Sequence, residues 1–193
     1  VVPVEQAPYH VPVFGNEHVT LLDVLIPPDR TSGFHRHALD AVGVQIVDGG
    51  RTTQVPGGEA EPTPPRQPGA VTFTFYGREP GVHAVATTGS QPFHNIFVEL
   101  LAPRPWGFSP GTRHGTAYEQ VLDNERVRVW RLVLAPGERT PDVEQRAPWL
   151  RVVVAGGELV ERVPDQPDRG LAPRAGQFFW QDSGTTRSVE NVG

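Results

Sequence analysis

Residues 19–50 read VTLLDVLIPPDRTSGFHRHALDAVGVQIVDGG. Two short apolar runs, 19–26 and 41–47, are separated by a Pro-Pro-Asp turn and the triplet His35-Arg36-His37, and the second closes on Asp48-Gly49-Gly50. Runs of this length, rich in Val, Leu and Ile and bounded by turn formers, predict β-strands. The same pattern returns later in the chain. Asn16-Glu17-His18-Val19 matches Asn124-Glu125-Arg126-Val127 and Ile26-Pro27-Pro28 matches Leu134-Ala135-Pro136, both at an offset of 108, whereas Val47-Asp48-Gly49-Gly50 matches Val154-Ala155-Gly156-Gly157 at 107. Pro68-Gly69-Ala70 resembles Arg174-Ala175-Gly176, and HAVATTG at 83–89 matches RSVENVG at 187–193. The chain therefore repeats one β-rich unit.

Further runs at 71–76, 82–86 and 95–101 complete the first copy, and runs at 127–134, 150–154, 159–162, 177–180 and 187–191 make up the second. Many short, evenly spaced strands without helical periodicity predict an all-β sandwich or barrel. Residues 102–117 (APRPWGFSPGTRHGTA), rich in Pro and Gly, are the expected linker. Residues 56–68 and 164–173 are expected to be long exposed loops. The first copy runs on to 101 while the second stops at Gly193, so its last strand is expected to be cut off there.

Composition narrows the chemistry. The 193 residues include no Cys and no Lys, which excludes thiol nucleophiles, thiolate metal ligands, disulfides, Schiff-base lysines and Walker A phosphate sites. All 17 basic residues are Arg, interspersed with 22 acidic ones for a net charge of −5, and no basic run would track a nucleic acid. No apolar stretch approaches the ~18 residues of a membrane span, and the first residues lack the pattern of a signal peptide. With Met also absent, an initiator already removed by processing or trimming is expected. We expect a soluble protein, cytoplasmic or exported to the periplasm after processing, whose partner is a small molecule rather than nucleic acid or membrane.

Alternation along a strand turns residues i and i+2 to one face, so His35 and His37 point the same way. His83 follows the turn Arg78-Glu79-Pro80-Gly81 and joins them where its strand lies alongside. Three neutral imidazoles hold a metal while leaving positions open for water or substrate, the geometry of a catalytic rather than a closed site. The alternative is a set of packed, hydrogen-bonded histidines without a metal. No Gly-x-Ser-x-Gly elbow or paired-carboxylate signature competes.

These residues resemble the cupin superfamily, specifically its two-barrel bicupins. The first cupin motif (Gly, five residues, His-x-His, three or four residues, Glu, six residues, Gly) is partly matched by His35-Arg36-His37 running on to Gly49. The second, a Pro- and Gly-bearing turn followed by His and later Asn, is partly matched by Pro80-Gly81-Val82-His83 and Thr87. The resemblance implies an all-β chain of two tandem cupin-type, jelly-roll-like β-barrels. Residues 1–101 would be barrel one with a metal site, 102–117 the linker, and 118–193 a degenerate, truncated barrel two. It also implies one divalent transition metal, Fe, Zn, Ni or Mn, on His35, His37 and His83. The family's glutamate ligand falls on Val42, which cannot ligate, and Asp40 shares its strand parity. Two ligand sets stay open: three histidines, as in thiol-dioxygenase-type cupins, or the same three with Asp40.

In the second copy the histidine pair is replaced by Asp142 and Glu144 when aligned on the Gly-Gly pair, or by Val143 and Gln145 when aligned on Asn-Glu. The third position is Arg187, which cannot ligate a cation. Arg187 then either sits in a purely structural barrel or binds a carboxylate, with Asp142 and Glu144 as candidates. His94, His10, His18 and His114 are expected at the surface, Gln45 on the face opposite Val44, and Tyr76 as a donor that orients a ligand imidazole. Trp106, Trp130, Trp149 and Trp180 are expected to seal cores or the interface between barrels. The function expected is that of a metal-dependent, dioxygenase-like cupin acting on a small molecule, with isomerase and decarboxylase as further classes. The alternative is a non-enzymatic ligand-binding or sensing cupin. Tandem barrels supply the pairing that single barrels obtain by dimerising, so a monomeric pseudo-dimer or a homodimer is expected.

Overall fold

A computed structural model describes residues 1–103 and 117–193. The chain divides into two compact units, Val1–Pro103 and Arg104–Gly193. Trp106, His114 and most of the expected linker lie outside the described residues. No helix among the described residues is long and apolar enough to cross a membrane.

Unit 1 contains β1 (Val2–Pro3), β2 (His10–Gly15), β3 (Val19–Ile26), β4 (His35–His37), β5 (Ala41–Asp48), β6 (Arg51–Gln54), β7 (Ala60–Thr63), β8 (Val71–Thr74), β9 (Gly81–Thr87) and β10 (Phe93–Leu100). They form two five-stranded sheets, ordered β1-β4-β9-β6-β7 and β2-β3-β10-β5-β8. Strand β10 lies at the centre of the second sheet, antiparallel to both β3 and β5. Its Ile96 and the Leu21, Leu22 and Ile26 of β3 are at most 1% exposed, each contributing about 1.5–3 kcal/mol by leaving water. Leu22, Val24, Ile26 and Phe93 pack with Val4 and with Val85 of β9, so the two sheets share a core. Strand β7 forms within the stretch expected to be a loop, pairing with β6 as an exposed edge hairpin whose polar residues hide the strand signal.

Strand β5 is buried on both faces up to Ile46, so alternation alone does not show that Gln45 is buried. Its side chain is fully buried, and Nε2 donates to the carbonyls of Val47 (2.7 Å) and His94 (3.0 Å). Beyond it, Asp48 pairs with the buried Arg51 and accepts the Arg66 N–H at 2.8 Å. Gly49 lies so close to Gln91 that a Cβ there would run into the Gln91 carbonyl, so only glycine closes this turn.

Unit 2 contains, among the described residues, β11 (Tyr118–Asp123), β12 (Arg128–Leu132), β13 (Val143–Gln145), β14 (Trp149–Val152), β15 (Leu159–Arg162), β16 (Arg169–Leu171), β17 (Phe178–Gln181) and β18 (Thr185–Asn191). The order β13-β18-β15-β16 repeats β4-β9-β6-β7. Strand β16, like β7, forms inside an expected loop. The pairs β11-β12 and β14-β17 are separate two-stranded sheets, and no described strand takes the central place of β10.

Candidate metal centre

Strand β4 alternates as its sequence predicts: His35 and His37 are buried and Arg36 is exposed. Strand β9 pairs with it antiparallel, placing His83 opposite His35 and Gly81 opposite His37. His35, His37 and His83 thus converge, one ring nitrogen of each lying within 4.8 Å of the others. The rings meet at centroid separations of 4.7–4.9 Å.

Local bonds fix the ring states. His35 Nδ1 lies 3.0 Å from the Gly33 carbonyl, which can only accept, so Nδ1 carries the hydrogen and Nε2 keeps its lone pair. That Nε2, and both ring nitrogens of His37, are buried without a hydrogen-bond partner. Buried nitrogens of this kind are costly unless something completes them. Burial, reinforced by the neighbouring imidazoles, pushes His37 down to about 2 and His83 to about 4, and burial lowers His35 as well. Three neutral imidazoles, two of them with orphaned ring nitrogens, are the donor set a divalent transition metal takes.

Tyr76 stacks on His37, centroids 4.6 Å apart and planes 15° apart, and its hydroxyl is bonded to Thr74. It therefore orients a ring by its face rather than by donating to it. A Cβ on Gly81 would lie 2.7 Å from the Tyr76 ring, so the glycine of the Pro80-Gly81 turn makes room for this stack. Phe97 of β10 covers His37 from the opposite sheet, at 4.9 Å between centroids.

Asp40 does not belong to the cluster. It is buried, but its Oδ1 accepts the Gly77 N–H at 2.8 Å, fastening the turn after β8. Thr87, in the second-motif position, donates its hydroxyl to the Ile26 carbonyl. His94 is half-buried rather than exposed, with Nε2 2.8 Å from Asp23 Oδ1.

His10 departs furthest from expectation. It is 7% exposed, its ring 4.6 Å from that of His35 and its Nδ1 bonded to the Pro8 carbonyl. Burial pushes it down to about 4. The sequence carries no signal for it, since Val11 and Val13, the apolar alternating positions, are the exposed ones, and Pro12 argues against a strand.

Unit 2 resolves the two alignments of the repeat. Val143 lies opposite Arg187, as His35 lies opposite His83, so Val143 and Gln145 occupy the places of the histidine pair. A one-residue shift would turn Asp142 and Glu144 inward. Instead Val143 and Gln145 are buried while Glu144 stays outside with Arg146. Asp142 faces Arg139, and Arg187 takes neither acid. Its Nη1 lies 3.1 Å from Glu161, which also faces Arg151 at 3.5 Å.

The sequence matches no protein-family model and no curated protein. Solved structures share its fold. A protein described as a cupin 2 conserved barrel domain protein from Leptotrichia buccalis is 9% identical, with a TM-score of 0.55 over 93% of this chain and 81% of that one. The chain has the cupin fold. Salicylate 1,2-dioxygenase from Pseudoaminobacter salicylatoxidans, seen with gentisate, shares this cupin fold at 13% identity and a TM-score of 0.58, covering 93% of this chain and 68% of its own. YhhW from Escherichia coli does so at 16% identity and 0.58, covering 95% and 85%. The cupin likeness thus extends across both units.

Proposed function

We propose that unit 1 of this cupin-fold chain binds one divalent transition metal through His35, His37 and His83 and presents it to a small-molecule substrate. The observation that carries this reading is the convergence of three ring nitrogens within 4.8 Å, with lone pairs on His35 and His37 buried and unpartnered. A metal bound by three imidazoles keeps open positions at which it would polarise an oxygen or sulfur donor or activate dioxygen. The chain's own residues supply orientation and dryness. Gly33 sets the His35 tautomer, Tyr76 holds the His37 ring plane, Phe97 excludes water beside it, and burial keeps the imidazoles neutral. Asp40, committed to Gly77, leaves the three-histidine set as the reading we favour. Dioxygenase-like oxidation of a small acid is the reaction favoured by the likeness to salicylate 1,2-dioxygenase.

Metal mass spectrometry of the purified protein is expected to show about one equivalent of iron, zinc, nickel or manganese per chain, lost in each of His35→Ala, His37→Ala and His83→Ala. Dioxygen uptake by the iron-loaded protein over a panel of thiols, flavonols, catechols and hydroxybenzoates then separates enzyme from binding module. Folded protein that takes up no metal even on reloading would overturn the site, and metal without uptake would leave a ligand-binding cupin.

A further inference from the structure

Unit 1 carries a second concavity, of about 530 Å³, that none of the three histidines lines. It lies between the N-terminal segment, Thr20 of β3, Leu39 after β4, and Glu99 of β10. Its size is within the ~300–1,000 Å³ of small-molecule sites. Val2, Val4 and Leu39 give it an apolar wall. Into that wall is set Glu99, only 6% exposed, paired in register with Thr20. Among the described residues, no hydrogen bond or ion pair engages its carboxyl. Burial, and then the charge of a second acid on the same cavity, Glu5, push Glu99 up to about 7. Arg36 reaches the rim, but it is exposed and forms no ion pair with either acid.

A buried acid without a counter-ion is costly, and a ligand that supplies the missing cation is bound more tightly for it. We infer that this cavity binds a small primary ammonium on a branched aliphatic body, with the ammonium between Glu99 and Glu5 and the body against Val2, Val4 and Leu39. Polarity and shape both contribute to this choice. The two acids exclude an anion, while the apolar wall favours an alkyl group over a bare inorganic cation. The site is separate from the proposed metal and does not depend on it.

Isothermal titration of the full chain at about pH 8 with isopentylamine, isopentanol and isovalerate tests this. The amine is expected to bind about tenfold or more tightly than the alcohol, as befits a charge-assisted contact, with no binding of isovalerate. Glu99→Gln, which keeps the shape, should abolish that preference, and Leu39→Trp should weaken the amine by filling the cavity, both with metal content unchanged. The inference is overturned by an amine that does not bind, by amine and alcohol binding alike, or by a Glu99→Gln protein that keeps the preference. If Glu99→Gln does not fold, Glu5→Gln and Leu39→Trp decide, and unchanged amine affinity in both sinks the proposal.

Discussion

His37 lies among three other imidazoles, those of His10, His35 and His83, and it is their shared burial that makes the group a set of ligands rather than a set of charges. The same burial sets a pH dependence. Folded-state values near 4 for His10 and His83 and near 2 for His37 lie below the unfolded value of 6.5, so folding favours the neutral rings. Their contribution is complete above pH 6.5 and is lost as the pH falls toward 4 and below. Glu99 runs the other way. Raised from 4.5 to about 7, it is neutral in the folded chain, and its cost grows as the pH rises through that interval. Between pH 4.5 and 6.5, three or more protons gained by unfolded histidines outweigh one lost by Glu99, so metal-free protein should lose stability on acidification. Each uncompensated proton contributes on the order of 1 kcal/mol per pH unit. Urea denaturation across this range checks the sign, and Glu99→Gln should steepen the acid loss. A flat profile would contradict the buried neutral rings.

At the scale of elements, the centre is a β4-β9 pair backed by a turn. Gly81 has no side chain, so Tyr76 can lie across the strand and against His37. Gly81→Ala should displace that ring and lower metal affinity about tenfold while leaving the fold in place. Competition with a chromogenic chelator would measure it, and unchanged affinity would show the stack to be incidental. The legibility of the sequence follows the same lines. Runs such as 19–26 and 95–101, whose apolar residues face a core, were readable, and so was the His35-Arg36-His37 alternation. Strand β7 was not, because an exposed polar edge carries no hydrophobic period, nor was β2, whose Pro12 argues against a strand. Parity could not show that Gln45 is buried, because β5 is buried on both faces and alternation there no longer separates inside from outside. Only strand register could decide between the two alignments of the second copy, since a one-residue slip costs nothing in a string of letters and everything in a sheet.

At the scale of the whole molecule, two copies of one pattern have been filled differently. Where unit 1 gathers neutral nitrogens, unit 2 places Arg187 and Arg151 around Glu161, which is 5% exposed. Removing that one acid by Glu161→Leu leaves two guanidinium groups without their shared partner and should cost about 3–5 kcal/mol, measurable by chemical denaturation. A loss below about 1 kcal/mol would mean that water already screens the trio.

The absence of a described counterpart to β10 in unit 2 gives the two units unequal grips on their own amide protons. Strand β3 is clasped on both sides, by β2 and β10, whereas β12 and β14 each have a single strand neighbour among the described residues. Every second peptide group along their outer edges faces away from any ladder. Isotope exchange should therefore sweep through β12 and β14 by small local openings long before it reaches β3, which would surrender its protons only when the first unit comes apart as a whole.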